Sequence, residues 1–533
     1  MRKRPTALRV ASLWISAGLL WAGCSKEPAR PEWDVDLVVP LVKTSLTIGD
    51  LVPDSLLSTG ADGQVSLLYT SRLFDLRLDT ILTAPDTNFR YTYVLPLPGP
   101  VSFQPGATFN TANDVTRFEL DGLELRTLRI RSGLVSLAIT SMINGPINGD
   151  FELPGATLNG DVFAIDQSVP AGTPASPTTL SSTRDLDGYA FDMRGPFFND
   201  VNTLATHLSY RNAGATAVDV TDQDSLIALV SYQDIVPDYA LGYFGTRDIH
   251  IDPSSTDLDL FENVSGMLDL DQVTARLKVT NGIGVDARAD LLYIRSVNSN
   301  TGNTVDLMHP IITAPINLDR ALDLGNGFQP AHNEHLLTEA NSNIDLFLEN
   351  LPNKIEYAVD ITIDPLGDVS NGHDFFYYES TLAGDLELDI PLNIAASGLM
   401  LRTETNVDLP GGDEGSAVRN ALLHLFAVNG FPFSAAITLE IIDDAGQVIS
   451  TLPVEGQVAS GLLGPDGLVQ TPVNSTLNTS LTGEQADLLN AGRRLRITAL
   501  LNTTSLPDHV RILDRYALDL QVTAEGNYIV NGE

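Results

Sequence analysis

From Ile355 to Ile363 every second residue is apolar: Ile355, Tyr357, Val359, Ile361 and Ile363 alternate with Glu356, Ala358, Asp360 and Thr362. A strand turns successive side chains to opposite faces, so this pattern fits a sheet that is buried on one side and wet on the other. Leu386, Leu388, Ile390, Leu392 and Ile394 repeat the pattern against Asp385, Glu387, Asp389 and Asn393. Shorter stretches follow the same rule around Leu123–Ile130, Leu137–Ile139, Ile437–Ile441, Leu495–Ala499 and Tyr516–Val522, most of them bounded by Gly, Asn, Asp or Pro. The expected fold is mainly β, with antiparallel sandwich-like or elongated sheets in two or three modules and a few short helices. At 533 residues with 43% apolar content, the chain has enough material for more than one core.

Helical spacing is convincing in two places. Ile344, Phe347, Leu348 and Leu351 lie at i, i+3, i+4 and i+7 ahead of Pro352, with Asn341 or Ser342 as the cap. Thr482 and Gln485 form a capping box that opens a helix closed by Gly492. A faint internal repeat joins three strands, each running into Asn-Gly, at Asn144-Gly145, Asn281-Gly282 and Asn429-Gly430. The Pro-, Ser- and Thr-rich run 169–184 reads as a linker or long loop between modules 33–168 and 185–375, with a third module over 376–533. Pro410–Gly415 reads as a second loop, and a break near Asn371-Gly372 as a further candidate.

Arg2, Lys3, Arg4 and Arg9 precede an apolar run from Val10 to Leu20, which is shorter than the roughly 20 residues a spanning helix needs. Ala22-Gly23 and then Cys24, the only cysteine, follow directly. Leu20-Trp21-Ala22-Gly23-Cys24 resembles the lipobox of bacterial lipoproteins, with Trp21 where the family usually carries Leu. The resemblance implies a signal peptide over 1–23, cleavage before Cys24, lipid attachment at its thiol and a polar tether over 24–32. Ser25 replaces the aspartate that retains such proteins in the inner membrane, so the implied location is the outer membrane, facing the periplasm or the cell surface. A single cysteine excludes disulfides and thiolate metal clusters. The chain beyond the signal carries 27 basic and 68 acidic residues, a net charge of −41, which argues against nucleic acid as a partner.

Trp33-Asp34-Val35-Asp36, Gly242-Tyr243-Phe244-Gly245, Val279-Thr280-Asn281-Gly282 and the Leu351-Pro352 helix end resemble a family of uncharacterised β-rich envelope lipoproteins. The strand-Asn-turn-strand units are also similar to the β-sandwich of water-stress and late-embryogenesis proteins. Neither likeness implies an activity. Gly242 and Gly245 suit a tight bend that delivers Tyr243 and Phe244 into a core or groove.

The chain shows no nucleophile elbow, phosphate loop, dinucleotide fingerprint, zinc-protease motif or complete EF-hand. Two weaker patterns are candidate metal sites. Asp185, Asp187 and Asp192 surround Gly188 with the oxygen ligands calcium prefers, making calcium the one possible cofactor. His332, His335 and Glu339 would share a face if that segment were helical. Trp33 is the only tryptophan beyond the signal, which speaks against an aromatic sugar-binding surface, and no paired aromatic girdles mark a transmembrane barrel. The expected function is a non-enzymatic envelope lipoprotein, a scaffold or binding module for a protein or surface partner. The alternative is a carrier of lipid or another apolar ligand, recognisable by a continuous apolar groove along the strands at Ile355 and Leu386. Hydrolysis of an envelope polymer is the third reading.

Overall fold

The computed structural model describes residues 32–77, 85–94, 99–261, 264–407 and 417–531. Cys24, its leader, its tether and the Pro410–Gly415 run lie outside them. The described residues are 63% strand and 6% helix, so the mainly β expectation holds. Ile344–Glu349 and Gly483–Asn490 are the two anticipated helices. The second has its capping box on Thr482 and Gln485; the first is capped at Asn343, one residue beyond Ser342.

The strands sort into three eight-stranded rolls with one topology. In the innermost along the chain, strands 1 to 8 are Thr87–Val94, Thr108–Arg117, Glu124–Ser141, Ile147–Leu158, Asp161–Val169, Thr178–Asp185, Thr203–Asn212 and Ser225–Tyr243. Antiparallel pairing gives one sheet in the order 1-8-3-6 and another in the order 2-7-4-5. The extra strand Ala190–Asp192 hydrogen-bonds to strand 3 and to strand 4, stitching the two sheets together.

The middle roll repeats both orders with Val65–Arg77, Arg247–Asp257, Thr274–Asn281, Ala287–Asn298, Asn303–Asp306, Ala331–Thr338, Lys354–Ile363 and Thr381–Pro391. The outer roll repeats them again with Glu32–Thr47, Asn393–Asn406, Ala417–Asn429, Phe433–Ile442, Val448–Leu452, Val473–Thr482, Arg494–Thr503 and Ala517–Asn531. These orders are those of a jelly roll. Each roll is inserted between strands 1 and 2 of the next, so the three are nested rather than strung in series. The described parts of Met1–Val65, Asn263–Asp269 and Leu392–Glu533 form one compact unit, which holds the outer roll. Those of Ser66–Glu262 and Leu270–Pro391 form the other, which holds the inner and middle rolls.

The module boundaries read from composition fall elsewhere. The 169–184 run leaves strand 5 of the inner roll and enters strand 6, which pairs with strand 3 of that roll. The 375/376 boundary cuts the short strand Asp374–Tyr377. The second alternating run is also divided: Leu386, Leu388 and Ile390 are core residues of the middle roll, whereas Ile394 is the second residue of strand 2 of the outer one. Pro391, which has no N–H to donate, ends the first of these strands.

Within the two-roll unit, Asp374–Tyr377 pairs with strand 8 of the inner roll, placing Tyr377 opposite Tyr239. The Tyr239 and Tyr377 hydroxyls donate to the two oxygens of Asp323, at 2.8 and 2.7 Å. The Arg129 guanidinium lies over both rings and is held by Asp238 at 2.6 Å. Burial works against the Asp323 carboxylate, but the Gly325 N–H and both hydroxyls outweigh it and hold its pKa below the ordinary value.

The faint repeat marks a structural corner where strand 3 leaves one sheet and strand 4 enters the other. Asn281 and Asn429 sit there fully buried. Each side-chain oxygen accepts from the N–H two residues on, at 2.9 Å, and each amide donates to two carbonyls: Val285 and Asp319 for Asn281, Phe433 and Ala459 for Asn429. In the inner roll the equivalent residue is Ser141, whose Oγ accepts from Ile143 N–H. The predicted third member, Asn144, is exposed three residues further on.

Two backbone bonds recur around this corner in every roll. Met142, Gly282 and Gly430 donate to the first residue of strand 8, Ser225, Thr381 and Ala517 respectively. Ile143, Ile283 and Phe431 accept from the loop between strands 5 and 6, from Gly172, Ala321 and Gly461. Asn429→Ala would leave one N–H and two carbonyls unpaired in the interior, and the expected loss is about 2–4 kcal/mol in urea unfolding. Exposed Asn144→Ala should change stability by less than about 0.5 kcal/mol.

Candidate functional site

The most exposed aromatic pair among the described residues stands on the inner roll, between the stitching strand and strand 7. Phe197 is 80% exposed and Phe198 64%. Their loop is braced rather than loose. At its base, buried Asn202 accepts from Leu125 N–H at 2.7 Å and donates to Leu123 O at 2.5 Å, pinning the loop to strand 3. Gly195 N–H donates to Thr203 O, Phe198 N–H to Gly195 O and Asp200 N–H to Arg194 O. Asp192 grips Arg194 through both carboxylate oxygens, at 2.9 and 2.7 Å, and Arg194 lies 5.2 Å from the Phe198 ring centroid. The Arg194 hydrogen bonds hold the Asp192 carboxyl below its usual range.

Gly195, Phe198 and Asn202 all take left-handed backbone angles, with φ of 69°, 58° and 52°. For a phenylalanine that conformation costs about 1–2 kcal/mol, so it persists only because the surrounding bonds impose it. The loop overhangs the outer face of the 2-7-4-5 sheet and encloses a cleft of about 530 Å³. Val115, which pairs with Ala205, and Pro154 supply an apolar floor. Asn113 and His207 form the next row, linked Nδ1 to Oδ1 at 2.6 Å. Apolar walls beside a few polar groups equip the cleft to bind; no nucleophile paired with a base lines it.

Alternation did not expose this site, because Pro196-Phe197-Phe198 has no period. The available signal was two adjacent aromatics between Gly195-Pro196 and Asn199-Asp200, a setting of turn residues in which they cannot join a strand's buried face.

The candidate calcium ligands are not brought together. Asp185 ends strand 6 in the open, Asp187 accepts from Gly133 N–H, and Asp192 is committed to Arg194. Among the described residues no three His, Cys, Asp or Glu side chains form a group that could hold a metal. The His332–Glu339 segment is no helix. It forms strand 6 of the middle roll, where residues three apart face opposite sides, so His332 bonds to Thr280 while His335 Nε2 is buried and Glu339 takes Val273 N–H. Of the Gly242–Gly245 aromatics, Phe244 is a core residue packed edge-on against Phe376 at 4.3 Å.

Among the described residues no continuous apolar groove runs along the two strongest strands; the open depression of about 250 Å³ at Glu387–Asp389 sets Arg276 and both acids beside Leu68 and Leu336. Ile355, Val359, Ile361, Leu386, Leu388 and Ile390 are all closed in the middle roll's core. An apolar cavity in the inner roll, beside Phe118, Leu128 and Tyr232, has a volume of about 50 Å³. A cavity of about 150 Å³ is known to admit benzene, so this one has no room for an acyl chain.

One acidic group stands apart. Asp364 and Asp374 of the middle roll are each 2% exposed, and each has an oxygen without a hydrogen-bond partner. Arg320 pairs with Asp374 at 3.1 Å. Burial above all, then Asp374, Asp286 and Asp368, push the Asp364 carboxyl up to about 8, against the pull of Arg320.

No family model matches the chain, and no curated protein does. Among solved structures, a putative secreted protein from Parabacteroides distasonis ATCC 8503 overlaps 52% of this chain and 83% of its own, at 13% identity and a TM-score of 0.29. Infectious bursal disease virus Gx strain overlaps 90% and 87%, at 11% identity and a TM-score of 0.12. Overlap this loose carries no argument, and the jelly-roll description rests on the strand orders alone. No described helix is long and apolar enough to cross a membrane.

Two outcomes follow from this geometry. Phe198→Gly should raise stability by about 0.5–1 kcal/mol, because relief of the left-handed strain exceeds the flexibility glycine adds to the unfolded chain. Between the unfolded carboxyl pKa of about 4 and the folded value of about 8, native Asp364 keeps a proton that the unfolded chain releases, so its contribution is full at low pH and lost as pH rises. The urea-midpoint advantage of Asp364→Asn over the parent should therefore grow from pH 5 to pH 9. A pH-independent difference would contradict the assignment.

Proposed function

We propose that the protein is a non-catalytic lipoprotein of the cell envelope, lipid-anchored in the outer membrane through Cys24, that binds a partner protein through a loop site on its inner roll. The observation that carries the binding reading is the Phe197–Phe198 pair, held in solvent on a strained but fully braced loop above a cleft of about 530 Å³. Two neighbouring phenylalanines in water forgo burial worth about 1.5–3 kcal/mol each, and a left-handed phenylalanine adds backbone strain. A partner that covers both rings recovers that burial. Anchoring rests on the charged leader, the short apolar run and the lone thiol after Ala22-Gly23.

The closed core of the middle roll and the small cavity of the inner roll weigh against the carrier alternative. A photo-crosslinking residue in place of Phe197, in the protein expressed in its own envelope, should capture one discrete protein. Capture should fall sharply when Phe198→Ser is added, while a crosslinker at exposed Leu366 captures nothing comparable. Stoichiometric bound lipid in native mass spectrometry, with no crosslinked protein, would sink the reading in favour of the carrier.

A further inference from the structure

Strand 7 of the middle roll ends at Ile363, and the next two residues are Asp364 and Pro365. Asp364 has a φ of 45°, a left-handed angle that is unfavourable for a residue with a side chain and more so for one that precedes proline. Hydrogen bonds on both sides impose it. The Asp364 N–H donates to Asp286 O at 2.9 Å, and its carbonyl accepts from Gly367 N–H at 2.9 Å and from the Thr246 hydroxyl at 2.8 Å. Two donors on one carbonyl draw electron density from its carbon, as an oxyanion hole does. The side-chain carboxyl of the same residue is buried, with one oxygen unpartnered. The charges that face it are Asp286, Asp368 and Asp374 against the single cation Arg320, which is already paired with Asp374. A carboxyl so placed keeps its proton at neutral pH.

We propose that the chain cuts itself between Asp364 and Pro365, the Asp364 carboxyl attacking its own backbone carbonyl. A carboxyl oxygen bonds to the carbonyl carbon and closes a five-membered ring, while the charge that develops on the carbonyl oxygen meets the Thr246 hydroxyl and the Gly367 N–H. The bond to the Pro365 nitrogen breaks; the nitrogen keeps the electron pair and takes the proton that the carboxyl loses. Water then opens the cyclic anhydride. Asp364 becomes a C-terminus and Pro365 an N-terminus, one water is consumed, and nothing is oxidised or reduced. Proline suits the step in two ways. Its nitrogen carries no hydrogen, so it cannot attack the side chain and divert Asp364 into a cyclic imide. As a secondary amine it also takes up the proton and leaves more readily than a primary one. Pro365 is half-buried and Leu366 81% exposed, so water reaches the bond. The event occurs once per molecule and is independent of the loop site on the inner roll. The two pieces stay paired afterwards, because Thr381–Pro391 lies between Val65–Arg77 and Thr274–Asn281.

The test incubates the purified, folded protein at pH 6 with protease inhibitors and follows it by mass spectrometry under denaturing conditions. The expected products end at Asp364 and begin at Pro365, and they form at a rate independent of protein concentration. With the carboxyl at about 8 in the folded protein and about 4 in the unfolded chain, the protonated fraction at pH 6 differs about a hundredfold. The folded protein should therefore be cut about a hundredfold faster than the same chain in urea. Thr246→Val should slow the cut about tenfold or more and Thr246→Ser should restore it, while Asp364→Asn should stop it. A folded chain that stays intact, fragments from other bonds, or a cut no faster in the folded protein than in urea overturns the proposal. So does a cut that proceeds unchanged in Asp364→Asn or Thr246→Val.

Discussion

A chain that builds two packed sheets must carry its backbone from one to the other through the interior, where an unpaired N–H or carbonyl costs about 1–3 kcal/mol. Asn281 and Asn429 resolve that conflict in the middle and outer rolls. Each side chain supplies one acceptor and two donors to backbone groups that no ladder can reach. Ser141 supplies only the acceptor in the inner roll, where the same crossing is held by the bonds from Met142 to Ser225 and from Gly172 to Ile143. The corner also fixes partners far along the chain, since its backbone joins strand 8 on one side and the loop between strands 5 and 6 on the other.

Nesting is possible because strands 1 and 2 of such a roll lie in different sheets, joined only by a connection at the surface. Opening that connection disturbs no ladder, and the entropic cost of a longer loop grows only by about 0.6 kcal/mol per doubling of its length. The returns are short. Strand 8 of the inner roll ends at Tyr243 and the middle roll resumes at Arg247; the middle roll ends at Pro391 and the outer resumes at Asn393. Inside the two-roll unit, the return is reinforced by Tyr239, Tyr377 and Asp323, which lock a strand from one roll's loop to the last strand of its neighbour. Asp323 suits this place because a carboxylate can accept from two phenols at once.

Local periodicity made the strands legible: Ile355 to Ile363 and Leu386 to Ile390 lie in strands with their apolar sides in the core. Both helices were legible from spacing and caps. Nesting was not, because Val65–Arg77 pairs with Thr381–Pro391 and Glu32–Thr47 with Ala517–Asn531, and neither partner leaves a mark near the other in sequence. The Asn-Gly repeat pointed to a real corner but misplaced it by three residues in the inner roll, where serine does the asparagine's work. His332, His335 and Glu339 could converge only on a helix; pairing with strand 3 makes Ala331–Thr338 a strand and puts His332 and His335 on different faces. Clustered acids in a chain this acidic carry little information, and Asp192 found an arginine two residues away. Cys24 lies outside the described residues, and its role rests on the sequence.

The features that resist explanation by folding are those worth assigning to function. Core residues, corners and the tyrosine clasp all agree with local preference and burial, and stability alone accounts for them. Phe198 contradicts both, being bulky, left-handed and largely in water, yet Asp192, Arg194, Gly195 and Asn202 cooperate to hold its loop in place. Such conflict between levels marks places where a structure departs from its own stability optimum.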